Sequence, residues 1–351
     1  MAAKGLERGR FTTRAGAALE LSRLGFGGAP LGNMHRALTE AEAEGVVRDA
    51  WDAGVRYFDT APLYGHGLSE MRIGAVLARQ LRDSYVVSTK VGRLLEPCAP
   101  GDEDSGIYRA VPPVRVRFDY TYDGVMRSHQ SSLERLGLDR IDIALVHDVD
   151  ARTHGSRGAS ERRLRELIDQ GGWRALDELR RAGDVAAIGA GVNEWEPCAR
   201  LLELADPDLF LLAGRYTLLE QAPLHSLFPA CQARGVGVII GGAFNSGVLV
   251  RGSSGDGAYD YGAVPPAIRA RVEALEAVCA VHDVALPQAA LAFVLAHPVV
   301  VSVIPGAQTT GELTANLAAL SRPPSAPFWA ELKARGLIDA ASPTPTDKVA
   351  A

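Results

Sequence analysis

The sequence predicts an α/β protein of the (β/α)₈ TIM-barrel class, with an N-terminal hairpin and one extra C-terminal helix. Three observations carry that prediction. Short apolar runs alternate with amphipathic stretches through most of the 351 residues. The runs are apolar throughout, as strands of a parallel sheet covered by helices are. Eight such runs occur, the number that closes a barrel. A doubly wound open sheet is the second-ranked architecture.

The strand candidates are "RLGFGGAP" (23–30), "RYFDT" (56–60), "YVVSTK" (85–90), "IDIALVH" (141–147), "AAIGAGVN" (186–193), "LFLLAGRY" (209–216), "VGVIIGGA" (236–243) and "VVVSVIPG" (299–306). Helical stretches separate them. The first, 39–54, opens with Thr39 and Glu42 in the spacing of a capping box. Others run from 69, 122, 171, 195, 225, 266 and 310, and "LERLG", "RRAG" and "QARG" end three of them on a glycine stop signal. Residues 10–21 suit a hairpin closing the barrel bottom, and 327–338 a final amphipathic helix. One domain is expected over 10–338 and a disordered tail over 339–351. Residues 93–118 are too long for a simple connection and read as a lid or a disordered loop.

Apolar residues make up 47% of the chain and charged ones 23%, enough for a large core in an ordinary globular protein. A formal charge of −5 argues against nucleic acid or an anionic membrane as partner. The most membrane-like stretch, 285–304, is interrupted by Gln288, His297 and Pro298 and reads as a buried helix followed by a strand. No apolar leader opens the chain, so a cytoplasmic location is expected. Cys98, Cys198, Cys231 and Cys279 are scattered without a C-x-x-C pair, which points to thiols rather than structural zinc.

In barrels of this kind chemistry sits where strands end at the C-terminal face. The second strand ends at Asp59, with Tyr64 in the loop beyond; the third ends at Lys90; the fourth ends at His147 and Asp148. Singly, each has an ordinary explanation as a cap, a solvated end or a satisfied barrel histidine. Together they form an acid/base device. A phenol with a pKa of about 10 trades protons poorly at neutral pH, and a nearby ammonium favours its phenolate. Asp59 would hold Lys90 charged and in place, and His147 would orient a reacting oxygen. Such a device moves protons, so a redox reaction would also need a nicotinamide. "GFGGAPLG" (25–32) and "GAGVNE" (189–194) lack the spacing of a Rossmann fingerprint.

The segments "FDTAPLYGHGLSE", "STK", "LGLDRIDIALVHD" and "VIPGAQTTGELTANLAAL" resemble the aldo-keto reductase family, in order and from about residue 20 to 320. Finer wording, "FDYTYDGVMRS" and "GAGVNEWEP", is similar to its branch of aldose 1-dehydrogenases and pyridoxal 4-dehydrogenase. The resemblance implies a nicotinamide-binding barrel with a catalytic tetrad at Asp59, Tyr64, Lys90 and His147. It implies NAD(P)-dependent oxidation of the C1 hemiacetal of an aldose, of L-fucose, L-galactose or D-arabinose type, to a lactone. The alternatives are oxidation of pyridoxal, broad aldehyde or ketone reduction and, in another class, a non-catalytic nucleotide-binding subunit. No H-x-H strand end occurs among the eight histidines, so no metal is expected. Oligomeric state is not legible.

By the same resemblance Asn193 would hold the nicotinamide amide, Tyr216 would stack on its ring and Asn316 would reach adenine; a family glutamine is replaced by Ala213. Gly242, Ala243, Phe244 and Asn245 offer small residues and free N–H groups to a pyrophosphate. Gly306, Gln308 and Glu312 lie where the eighth strand meets a helix N-terminus. No Lys or Arg occurs from Val299 to Leu320 to recognise a 2′-phosphate, and Glu312 would repel one, so NAD is favoured over NADP. Trp51, His66 and Asp148 are the substrate-side candidates, with Arg93, Asp119 and Tyr120 near them.

Overall fold

The computed structural model describes residues 6–345. β1 (Arg8–Thr12) and β2 (Ala18–Ser22) pair antiparallel as the expected hairpin. β3 (Phe26–Gly27), β4 (Tyr57–Asp59), β5 (Val86–Val91), β8 (Ile143–His147), β9 (Ala187–Val192), β10 (Leu209–Ala213), β11 (Gly237–Gly241) and β12 (Val300–Ile304) form one parallel sheet in that spatial order. Bridges Leu24–Val303 and Gly27–Gly306 bring β12 back beside β3 and nearly close the barrel. β3 has a ladder of only two residues, much shorter than the apolar run around it.

Period-two alternation sorts each strand. Tyr57, Val86, Ile143, Leu145, Ala187, Leu209, Leu211, Ile239 and Ile304 fill the barrel interior, and Leu19 and Leu21 of the hairpin seal it from below. The alternate residues, such as Phe58, Val87, Ala144, Ile188 and Phe210, join the larger core beneath the helices. The helix Glu40–Asp52 begins with the expected capping box, Thr39 Oγ1 accepting the Glu42 N–H.

Three readings change. Residues 93–118 form an ordered antiparallel hairpin, β6 (Arg93–Pro97) with β7 (Val114–Phe118), because "VRVRF" alternates like a strand. Residues 151–169 form two unexpected helices, Ala151–His154 and Arg157–Asp169, the second capped by Ser156. The helix Ala326–Ala334 ends the shell, but the chain stays packed beyond 338: Ser342 and Thr344 are buried. Residues 346–351 of the expected tail lie outside the described residues.

The four cysteines are free thiols. Among the described residues no single helix is long and apolar enough to cross a membrane; helices Pro266–Val281 and Leu286–Ala296 are so only taken together, and they are bent by 97° at their break.

Two helical glycines test the packing from opposite sides. A Cβ at Gly74, in the helix Leu68–Leu77, would meet the Leu136 carbonyl oxygen at 2.0 Å, whereas one at Gly45 would meet nothing within 4 Å. Thermal denaturation should therefore show Gly74→Ala losing about 1–3 kcal/mol or more. Gly45→Ala should gain about 0.5–1 kcal/mol.

Candidate active site

At the upper end of the barrel the inward positions turn polar. Asp59 follows Tyr57 on the inner face of β4, and Lys90 follows Val86 and Ser88 on β5. His147 follows Leu145 and Ile143 on β8. The ladder pairs Asp59 with Ser88, Lys90 with Leu145 and His147 with Gly191, so three successive strands deliver their polar ends to one place. Gly191 leaves room for this: a Cβ there would approach Lys90 Cε to 3.1 Å.

Lys90 and Asp59 are each 1% exposed. Lys90 Nζ donates to Asp59 Oδ2 at 2.8 Å and Oδ1 at 3.1 Å, and to the Thr60 carbonyl at 2.9 Å. Ser88 Oγ donates to Asp59 Oδ1 at 2.7 Å and sits 2.9 Å from the Tyr57 hydroxyl. A buried ion pair of this kind needs such additional bonds to offset desolvation.

Tyr64 lies over the pair. Lys90 Nζ is 4.7 Å from the centre of its ring, and the ring meets His147 edge-on, with centroids 5.9 Å apart. The expected depression of the phenol's pKa is absent. Burial holds it well above its ordinary value, reinforced by Asp59 and Asp148 and opposed by Arg93. The reason is geometric. Lys90 faces the ring, and its hydrogen bonds go to Asp59 and Thr60.

Asp148 completes this cluster. Arg93 Nη2 donates to its Oδ2 at 2.5 Å and Asn193 Nδ2 to its Oδ1 at 2.9 Å, while His147 Nε2 lies 3.2 Å from Oδ2. Burial, opposed by Arg93, pushes the Asp148 carboxyl up to about 6. Burial beside Arg93 and Lys90 holds the His147 imidazole well below its ordinary value. Tyr120 supports the floor from behind, its hydroxyl donating to the His147 carbonyl at 2.7 Å. Asp119 accepts from Arg117, Arg127 and the hydroxyl of Thr121, the N-cap of the next helix, instead of joining the site.

Two tyrosines that the sequence reading did not single out belong here. Tyr108, from the loop joining β6 and β7, and Tyr261, from the segment after the helix Val248–Arg251, are both coupled electrostatically to Tyr64 and Asp148. Their places depend on long-range docking: Tyr108 bridges to Met34, and Arg152 and Arg215 grip Asp260 beside Tyr261. No local pattern marks either residue.

Several expected positions prove different. Tyr216 is fully buried in the outer shell, its ring stacked on Phe293 at 5.1 Å and edge-on to Phe228 at 4.7 Å. It shares the outward parity of Phe210 and Leu212, which lie in the same outer core. Trp51 lies at the opposite end of the barrel, under Arg56 and beside Tyr85, because its helix runs against the strands and finishes where β4 begins. His66 is in the loop after β4, but it is buried and neither ring nitrogen has a partner.

The proposed nucleotide residues line one side of the rim. Gly242, Asn245, Ser246 and Gly247 all have positive φ, from 46° to 102°, in the turn that also holds Ala243 and Phe244. Successive left-handed residues aim backbone N–H groups to one side, a setting for a phosphate. Asn245 Nδ2 donates to the Gly214 carbonyl, and its buried Oδ1 has no partner. That open acceptor fits an amide-bearing or hydroxyl-bearing ligand. Gln308 Nε2 donates to the carbonyls of Pro30 and Met34, tying the β12 loop to the β3 loop. Glu312 accepts the Gln308 N–H at 2.7 Å. Gly306 packs against Pro30, where a Cβ would meet Cγ at 2.5 Å. Asn316 is buried and donates to the Gly306 carbonyl, so its amide holds the loop rather than reaching outward. Among the described residues no group of three His, Cys, Asp or Glu could hold a metal ion.

A model of the Aldo/keto reductase family matches residues 23–335. The chain is 40% identical over 330 residues to a pyridoxal 4-dehydrogenase of Microbacterium luteolum, covering 91% of this chain and 95% of that one. It is 42% identical over 339 residues to a D-threo-aldose 1-dehydrogenase of a Pseudomonas species, covering 94% and 98%. Its fold is similar to that of an aldo-keto reductase from Bacillus halodurans in holo form, with a TM-score of 0.73 and 24% identity over 95% of this chain and 98% of that one. It is also similar to a glycerol dehydrogenase from Gluconobacter oxydans, with a TM-score of 0.70 and 19% identity over the whole of both chains.

The buried pair sets a stability test. Lys90→Met leaves the Asp59 charge uncompensated and should cost about 3–5 kcal/mol in chemical denaturation. Adding Asp59→Asn should restore most of that loss; a double variant no better than the single would contradict the pairing.

Proposed function

Because the chain belongs to the aldo/keto reductase family, and is therefore an oxidoreductase of a family that binds nicotinamide cofactor, we propose that it oxidises the C1 hemiacetal of an aldose to a lactone. The observation that carries the reading is the convergence of Asp59, Lys90, His147 and Tyr64 beneath a polar rim of Arg93 and Asp148. A mouth lined by charged and polar groups suits a hydroxylated substrate better than an apolar aldehyde.

A nicotinamide nucleotide bound along the turn 242–247 and the loop 305–312 would accept or supply the hydride. The chain's residues handle the proton and the orientation. Tyr64, as a neutral phenol, is ready to donate to a carbonyl oxygen; in oxidation its phenolate must take the C1 hydroxyl proton. Lys90 and Asp59 fix the floor on which its ring rests. His147 stands beside the ring, where it can orient the C1 oxygen. Glu312, anchored by the Gln308 N–H and without a basic neighbour from Val299 to Leu320, supports NAD over NADP.

The reading has three consequences. Tyr64→Phe should lower kcat about 10²- to 10⁴-fold while leaving cofactor affinity nearly unchanged; undiminished turnover would overturn the assignment. The raised proton affinity of Tyr64 makes its phenolate scarce at neutral pH. Oxidation should therefore accelerate from pH 7 toward about 10, with reduction flat over the same range. Steady-state rates should favour NAD⁺ over NADP⁺ by about tenfold or more, and Glu312→Lys should narrow that ratio. Comparing L-fucose, L-galactose, D-arabinose and pyridoxal under NAD⁺ separates the sugar reading from the second one, pyridoxal oxidation, which the Microbacterium luteolum relative supports.

A further inference from the structure

Behind the tetrad lies a set of buried polar side chains that the chemistry itself does not use. They gather at the start of the helix Leu68–Leu77, which directly follows the Tyr64 loop. The cap of that helix, Gly67 at φ 94°, has no side chain to offer the first N–H groups. Carbonyls of the loop accept them instead: Leu68 N–H donates to Gly65 and Ser69 N–H to Tyr64, each at 3.2 Å. The loop also packs backbone against backbone, since a Cβ on Gly32 would come within 2.4 Å of the Tyr64 carbonyl carbon. The place of Tyr64 is therefore tied to where this helix begins.

Ser69 and Glu70, both 0% exposed, fix that beginning. Ser69 Oγ accepts from Thr60 Oγ1 at 2.8 Å and donates to the Gly28 carbonyl at 2.8 Å. Thr60 follows Asp59 in the chain, and its carbonyl accepts from Lys90 Nζ. One serine thus joins Tyr64, through its N–H, to the residue that holds the Lys90 ammonium, through its hydroxyl. Glu70 makes the matching contact one residue on. Its Oε1 accepts from Thr89 Oγ1 at 2.6 Å and its Oε2 from Arg135 Nε at 2.5 Å. Thr89 precedes Lys90 on β5, so its side chain leaves the opposite face of the strand.

These bonds are not needed merely to hold the helix down. Ile73, Val76 and Leu77 already bury its apolar face in the core. Apolar packing is non-directional and tolerates a small slide or turn, whereas hydrogen bonds have preferred lengths and angles. A buried carboxylate and buried hydroxyls also carry a desolvation cost that an apolar helix start would avoid. What they add is a defined register between the helix and the strand ends.

We propose that Ser69 and Glu70 are positioning residues of the reaction: their hydroxyl and carboxylate lock the start of this helix to the chain beside Asp59 and Lys90, and so fix where the Tyr64 ring stands over that pair. The proposal rests on the reading of Tyr64 as the acid/base group. Both residues are enclosed, so they act through Tyr64 rather than on the substrate.

The readout is the single-turnover rate of NADH formation, with the fastest of L-fucose, L-galactose, D-arabinose and pyridoxal, beside the dissociation constant of NADH. Ser69→Ala removes the hydroxyl and keeps the N–H that donates to Tyr64. Thr89→Val removes the donor to Glu70 and leaves Arg135 on its carboxylate. Misplacing a reacting group by about 1 Å costs about 10²-fold, so each variant should lower the rate about 10- to 100-fold, with NADH affinity nearly unchanged. Thr89→Ser, which keeps the hydroxyl, should stay near the native rate. In a Tyr64→Phe background Ser69→Ala and Thr89→Val should cost almost nothing further, because the group they position is already gone. Losses that multiply with that of Tyr64→Phe, native rates in both Ser69→Ala and Thr89→Val, or a Thr89→Ser rate as low as that of Thr89→Val would overturn the proposal and leave the bonds a structural brace. Should one variant fail to fold, the other carries the same comparison with Tyr64→Phe. Undiminished turnover in Tyr64→Phe alone would instead overturn the reading of Tyr64, a separate outcome.

Discussion

The site is organised around the contact between Lys90 and Asp59. Both groups are buried, and both came out of water at a cost of several kcal/mol each. They are held by each other, by Ser88 and by the Thr60 carbonyl. The surrounding architecture follows from keeping that pair dry and exact in position. β4 and β5 must be neighbours in register, β9 must carry a glycine where the lysine stem passes, and the barrel below must be filled with apolar side chains so that no water reaches the pair from beneath. Tyr64 then has a fixed surface to lie on.

That arrangement also explains why the phenol is not acidic. An ammonium lowers a phenol's pKa when it is free to stabilise the phenolate oxygen. Here the ammonium is neutralised and faces the ring. Two carboxylates nearby and burial outweigh a single guanidinium. A site of this kind favours donating a proton over accepting one at neutral pH. The direction of net reaction then depends on pH and on the ratio of oxidised to reduced nucleotide.

Much of this was legible in the sequence wherever it was local. Asp59, Lys90 and His147 were visible because a strand presents every second residue inward, and a charge at the end of an apolar run stands out. The Thr39–Glu42 cap and the N-terminal hairpin were equally plain. What was hidden depends on chain direction and docking. Tyr216 was misplaced because it shares the outward parity of Phe210 and Leu212, and Trp51 because the helix that carries it runs against the strands. The hairpin Arg93–Pro97 with Val114–Phe118 was obscured by the long loop between its strands. The helix Arg157–Asp169 buries only Ser160, Leu164 and Leu167, too sparse an apolar stripe to announce itself. Tyr108 and Tyr261 reach the mouth through contacts far away in sequence, which no local pattern encodes.

The most direct test of the account is the position of a bound aldose in a crystal of the chain with NAD and substrate or lactone. The account predicts the C1 oxygen within about 2.6–3.2 Å of the Tyr64 hydroxyl, on the side where His147 stands and above the Lys90–Asp59 pair. A sugar bound with C1 turned away from Tyr64, or with the phenol packed against carbon alone, would contradict it.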